Sequence, residues 1–228
     1  MLTPALSPAA QGVHAVVQPR AATPWTITAL LGGERSGEQS YTDSVLQGRV
    51  GLEASRWFAG NFLFVGTGDW RSYRQQYVPF NGSPSARIST DENRLDFSGL
   101  AGYDLGALVA PEGRLEIVPL VGAQYLGARN NGFGFEMFGP TAGLRASIAL
   151  ARFTLRGMAS WTYNTLKKDS TDPSAFLSPV SALSARAGLQ FRLTPAYAIE
   201  LDYVTDGIRF EHVWRVAHGA VFGFSTSF

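Results

Sequence analysis

Trp214-Arg-Val-Ala-His-Gly-Ala-Val-Phe-Gly-Phe-Ser-Thr-Ser-Phe228 alternates: Trp214, Val216, Ala220, Phe222, Phe224 and Phe228 fall on one face if the segment is extended. Successive side chains of a β-strand point to opposite faces, so the segment reads as a strand with one apolar side that ends on an aromatic ring. Working upstream, nine more segments follow the same rule. They run from Trp25 to Leu31, Leu46 to Ser55, Asn61 to Arg71, Arg94 to Val109 and Leu115 to Tyr125. The series continues with Phe138 to Leu150, Phe153 to Tyr163, Leu183 to Leu193 and Tyr197 to Tyr203.

The two faces differ in kind. The apolar positions, such as Leu95, Phe97, Ala101 and Tyr103, include no Asp, Glu, Lys or Arg. The opposite face holds Arg49, Arg94, Arg145, Arg156, Arg186, Arg192 and Arg215 beside Glu53, Asp69, Asp96, Asp104, Glu116, Glu200 and Asp202. Charge of both signs, interleaved with Gly, Ser and Thr, suits a narrow barrel lumen. An open sheet edge in lipid leaves backbone groups without partners, so a ribbon facing lipid closes on itself.

Connections alternate in length. Arg56–Ala59, Ala110–Gly113, Ala151–Arg152 and Thr194–Ala196 are short; Gly33–Ser44, Val78–Thr90, Ala128–Phe135, Leu166–Pro179 and Asp206–Glu211 are long. All the short turns then lie at one end. The expectation is an all-β protein: a closed, antiparallel, up-and-down transmembrane β-barrel over residues 25–228. Ten strands fit best, and eight is the alternative if a segment is misread. Residues 1–24, rich in Ala, Pro and Gln, have no strand pattern and are expected to form a flexible tail.

Composition narrows the function classes. Only 16% of residues are charged and the net charge is +1, which gives no electrostatic case for nucleic acid. There is no cysteine, so a thiolate metal site and a cysteine nucleophile are excluded. Three scattered histidines have no metal-ligand spacing, and no cofactor or metal is expected. No apolar run is long enough for a membrane helix, and the start Met1-Leu-Thr-Pro lacks the basic and apolar regions of a signal peptide.

Taken together, the pattern resembles the bacterial outer-membrane β-barrels. The carrying features are the period of two, the alternation of short turns and long loops, and Phe222, Phe224 and Phe228, which resemble the C-terminal assembly signal of that class. The resemblance implies an outer-membrane location, with lipid bilayer and lipopolysaccharide around the barrel. It also implies recognition of the last strand by the barrel assembly machinery and possible envelope protein partners. Trp25, Trp57, Phe58, Phe153 and Tyr197 would line the periplasmic rim; Trp70, Tyr73, Tyr125, Trp161, Tyr163, Tyr203 and Trp214 would line the outer one.

A lumen of eight to ten strands is filled by side chains or holds one small ligand. Here Arg49, Glu53, Arg94, Asp96, Asp104, Glu116, Arg145, Arg156, Arg186, Arg192, Glu200 and Asp202 are expected to form a charge network that fills it. A structural or interaction role follows, and a narrow channel or transporter for small or apolar solutes is the alternative. Two hydrolase readings are weaker. An omptin-like protease needs acidic residues and an Asp–His pair at the outer mouth, for which Asp69, Asp91, Glu92, Glu136, Asp206 and His212 are the candidates; Asp206 and His212 flank the last hairpin. Omptin-like barrels are longer, and the chain lacks a counterpart of their motifs. A lipid A-modifying barrel needs a histidine with a partner at the bilayer face. His218 is read onto that face, but Ser225 and Ser227 are half a strand away.

Overall fold

The computed structural model describes residues 22–38, 41–77, 88–106, 115–129, 134–164, 166–169, 180–210 and 213–228. Within them the strands are β1 (Thr26–Glu38), β2 (Tyr41–Phe58), β3 (Phe62–Tyr77), β4 (Ile88–Tyr103), β5 (Leu115–Arg129) and β6 (Gly134–Leu150). They continue with β7 (Phe153–Asn164), β8 (Leu166–Asp169), β9 (Val180–Arg192), β10 (Tyr197–Phe210) and β11 (Val213–Ser227). Each strand pairs antiparallel with its neighbours, β5 pairs with β6, and β1 pairs with β11, so the sheet is closed. β8 follows β7 along the same neighbour, β6, and the two form one stave. The result is a ten-stave barrel.

Its stagger can be read from the pairing. A walk along hydrogen-bonded partners from Thr26 passes Ser55, Val65, Leu100, Gly122, Thr141, Thr162, Ala182, Ile208 and Arg215. It returns to β1 at Glu38, twelve residues beyond its start. With strands about 4.8 Å apart and a rise of about 3.3 Å per residue, that shear gives a tilt of about 40° and a backbone radius of about 10 Å.

The outside carries large apolar side chains from one rim to the other, among them Leu31, Leu52, Phe97, Leu144, Leu155, Leu201 and Phe222. Aromatic rings gather at two heights: Phe58, Phe62, Tyr103, Phe153 and Tyr197 lie near the turns, and Trp70, Phe97, Phe138, Trp161 and Tyr163 near the opposite rim. From Phe153 to Tyr163 along the tilted β7 is roughly 25 Å of barrel height, the thickness of an outer-membrane apolar band. Beyond it the outward side chains turn polar, and Arg35, Asn93, Arg129, Glu136 and Arg209 are exposed.

Several strand limits differ from the sequence reading. Gly33–Ser44 and Asp206–Glu211 are not long loops for most of their length: β1 runs to Glu38 and β2 starts at Tyr41, while β10 runs to Phe210 and β11 starts at Val213. Strand pairing continues past the apolar band, where both faces are polar and the alternation that marks a strand disappears. In the other direction, β4 stops at Tyr103 and not at Val109. Asp104 ends it, because its carboxylate accepts the backbone N–H groups of Gly106 at 2.8 Å and Ile117 at 3.1 Å. Residues 107–114, including the Ala110–Gly113 turn, lie outside the described residues. The Ala151–Arg152 turn joins β6 to β7 directly, with Ala151 held at φ 53°. Residues 1–21 lie outside the described residues, and Thr23 is tied to β2 by its N–H to the Trp57 carbonyl at 3.0 Å.

Candidate functional site

The inward positions of ten tilted strands converge on a lumen too narrow for bulk water, so each charge there requires a partner. Those charges form two layers. Nearer the long-hairpin end, Arg49 clasps Asp69 through two parallel bonds, Nε to Oδ1 and Nη2 to Oδ2, both 2.9 Å. Its Nη1 donates to Glu34 at 2.6 Å and to Asp206 at 3.2 Å. Arg71, 1% exposed, reaches Asp206 at 2.7 Å and Glu34 at 3.4 Å. Arg94 donates to Asp96 at 2.8 Å, and Gln124 donates to the other oxygen of Asp96 at 2.5 Å while accepting from Thr162.

The second layer lies nearer the turns. Arg156 pairs with Glu200 and, at 2.7 Å, with Asp202. Arg186 spans the lumen, reaching Asp202 at 2.5 Å, Glu53 at 2.8 Å and Glu200 at 3.3 Å. Glu200 also accepts from Ser225 at 2.5 Å and Gln190 at 2.7 Å. Arg145 approaches Glu53 at 4.0 Å. Between the layers is a cavity of about 70 Å³ lined by Leu30, Thr67, Ser98, Ser160 and Val204 along with arginines and carboxylates of both layers. Below the second layer is a vestibule of about 480 Å³, walled by Thr28, Glu116, Arg145, Thr154, Arg192 and other residues near the turns.

Apolar residues complete the filling. Leu126, Ala128, Met137 and Ile208 pack together at the long-hairpin end. Leu63, Val65, Leu100, Val118 and Leu120 pack against Trp57 and Met158 on the β3–β5 side. These inward apolar residues were not anticipated, because the charged positions alone defined the inner face in the sequence. Glu34, Arg71 and Asp206 also belong to the first layer. Glu34 and Asp206 fall in segments that the sequence reads as loop, and the only signal for them is parity with Thr28 and Asp202 along their strands.

The other expected site residues are placed as follows. Asp104 serves backbone N–H groups at the end of β4. Glu116 accepts the Ser147 hydroxyl at 2.6 Å, and Arg192 is exposed in the vestibule wall. Asp206, a candidate of the protease reading, is buried, aimed inward and paired with Arg49 and Arg71. His212 and the side chains of Asp91 and Glu92 lie outside what is described, and Glu136 is exposed on the outside of β6. His218 faces outward with the Tyr203 hydroxyl 3.0 Å from its Nδ1, the rings stacked at 16°. Arg35 and Arg209 are exposed near the long-hairpin rim, and Arg56 stands at the turn end, where it borders the vestibule. Arg56 lies over the Phe58 and Trp25 rings at 5.3 and 5.7 Å.

No family model matches the chain, and no curated protein matches its sequence. Solved structures do share its fold. The translocator domain of the autotransporter NalP from Neisseria meningitidis superposes with a TM-score of 0.53 at 13% identity, over 90% of this chain and 89% of that one. The outer membrane protease OmpT from Escherichia coli gives a TM-score of 0.53 at 10% identity, over 93% of this chain and all of that one. At such identities the likeness concerns architecture and not activity. The chain therefore has the fold of the bacterial outer-membrane β-barrels.

Proposed function

We propose that the protein is an integral barrel of the bacterial outer membrane with a sealed lumen and a structural or interaction role in the envelope. The observation that carries this reading is the pair of ionic layers, in which side chains from β1, β2, β3 and β10 and then from β2, β7, β9 and β10 meet across the lumen. Opening such a layer strands charges away from water, which costs several kcal/mol per ion. Work on partners would then fall to the surfaces beyond the lipid band and to the vestibule. Single-channel recording in planar bilayers tests the proposal. The expected record is silent or shows rare, small events; large and stable currents would overturn it.

A narrow conduction path is the second reading. Its support is that the central cavity and the vestibule share Glu53, Arg145 and Arg156 as lining, with the Arg145–Glu53 contact long at 4.0 Å. If that reading holds, Arg145→Ala raises conductance well above the wild-type level.

A further inference from the structure

We propose that the vestibule binds a small organic anion, a carboxylate or a phosphate ester, between Arg145 in its roof and Arg192 in its wall. The argument starts from how the lumen arginines are used. Arg49, Arg71, Arg156 and Arg186 each have at least two carboxylates within 3.5 Å. Arg145 is different. Its one ionic contact among the described residues is Glu53 at 4.0 Å, and Glu53 is already taken by Arg186 at 2.8 Å. A guanidinium carries five N–H donors in a planar fork, so among the described residues most of the donor capacity of Arg145 is unspent. Its side chain is only 17% exposed, and it lines both the central cavity and the larger one of about 480 Å³. Arg192, exposed in the wall of that same cavity, forms no ion pair among the described residues.

Four arginines of the vestibule lining, Arg56, Arg145, Arg156 and Arg192, face three carboxylates, Glu53, Glu116 and Glu200. Glu200 accepts from Arg156, Arg186, Gln190 and Ser225. Glu53 is bonded to Arg186, and Glu116 accepts from Ser147. The charge left with spare capacity is positive, and it faces a pocket wider than an inorganic ion. Arginine forks match carboxylate and phosphate oxygens bidentately, and a few hundred Å³ is the volume of a small-metabolite site. Thr154, between β6 and β9 on β7, adds a hydroxyl to the same wall. Arg145 lines the central cavity as well, but anion binding in the vestibule does not require that the lumen conduct.

Isothermal titration of the full chain, folded in detergent, with inorganic phosphate, succinate and neutral glucose tests the assignment. Phosphate or succinate should give saturable binding that glucose does not, and the tighter of the two identifies the class. Losing one charge-assisted contact should weaken that binding by about tenfold or more, so Arg145→Gln and Arg192→Gln both lose affinity while Arg35→Gln on the outer rim does not. Arg192 is exposed, so its variant folds whether or not Arg145→Gln does, and its result stands alone. No saturable binding of either anion, or wild-type affinity in Arg192→Gln, would overturn the proposal.

Discussion

Replacing Arg49 with methionine should destabilise the barrel by about 3–5 kcal/mol, the range for removing one partner of a buried ion pair. Methionine keeps an unbranched apolar chain in the space and deletes the charge. Asp69 then loses both of its 2.9 Å bonds from Arg49. Glu34 and Asp206 keep Arg71, at 3.4 and 2.7 Å, so they are weakened and not stranded. One carboxylate without a partner sets the magnitude, and the shared loss at the other two places it in the upper part of the range. Denaturant unfolding of the protein in phospholipid vesicles, followed by tryptophan fluorescence, measures it. The double variant Arg49→Met/Asp69→Leu removes both partners, so it should recover most of the loss and stay within about 1.5 kcal/mol of wild type. The coupling between the two sites is therefore at least about 2 kcal/mol. A single-variant loss under about 1 kcal/mol, or additive losses in the double variant, would refute the view that these layers are desolvated and mutually dependent.

Two backbone positions make further predictions readable by the same unfolding assay. A Cβ on Gly122 would meet the backbone of Gly99 and Leu100, whereas one on Gly48 would meet nothing within 4 Å; Gly122→Ala should therefore cost about 1–3 kcal/mol, and Gly48→Ala should be neutral or stabilise by up to about 1 kcal/mol. Ala151→Gly relieves a side chain held at φ 53°. Left-handed backbone costs a non-glycine residue about 1–2 kcal/mol, of which glycine's added unfolded-state freedom offsets part, so a net gain of about 0.5–1 kcal/mol is expected.

The membrane face was legible because lipid imposes one simple demand on every second residue. Leu52, Phe97, Leu144 and Leu201 meet it, and they lie outside as the alternation requires. The count of staves followed from the same signal. The lumen was legible only in part, since inward positions answer to neighbours across the barrel and not to a uniform solvent. Val118 and Leu120 face inward with Glu116, and nothing local in Glu116-Ile-Val-Pro-Leu120 shows that Leu63, Val65 and Leu100 are there to cover them. Glu34 and Asp206 were hidden for another reason. Their strands continue beyond the apolar band, where no hydrophobic period marks them; Glu34 meets Arg49 diagonally across the β1–β2 pairing, and Asp206 reaches it only because the barrel closes between β1 and β11. The loose hold on Arg145 is likewise a three-dimensional fact: it depends on Arg186 reaching Glu53 first, from the far side of the lumen.

Cysteine labelling across one stave tests the inside-out arrangement most directly, and the chain has no cysteine of its own to interfere. Ala159→Cys and Ser160→Cys are near-isosteric neighbours on β7; the first faces outward and the second lines the central cavity. In vesicles, a spin label on Cys at position 159 should collide with oxygen dissolved in the bilayer and not with a water-soluble nickel chelate, while Cys at position 160 should resist water-soluble thiol reagents until the barrel is unfolded. Nickel access at 159, or rapid labelling at 160 in the folded protein, would contradict the account.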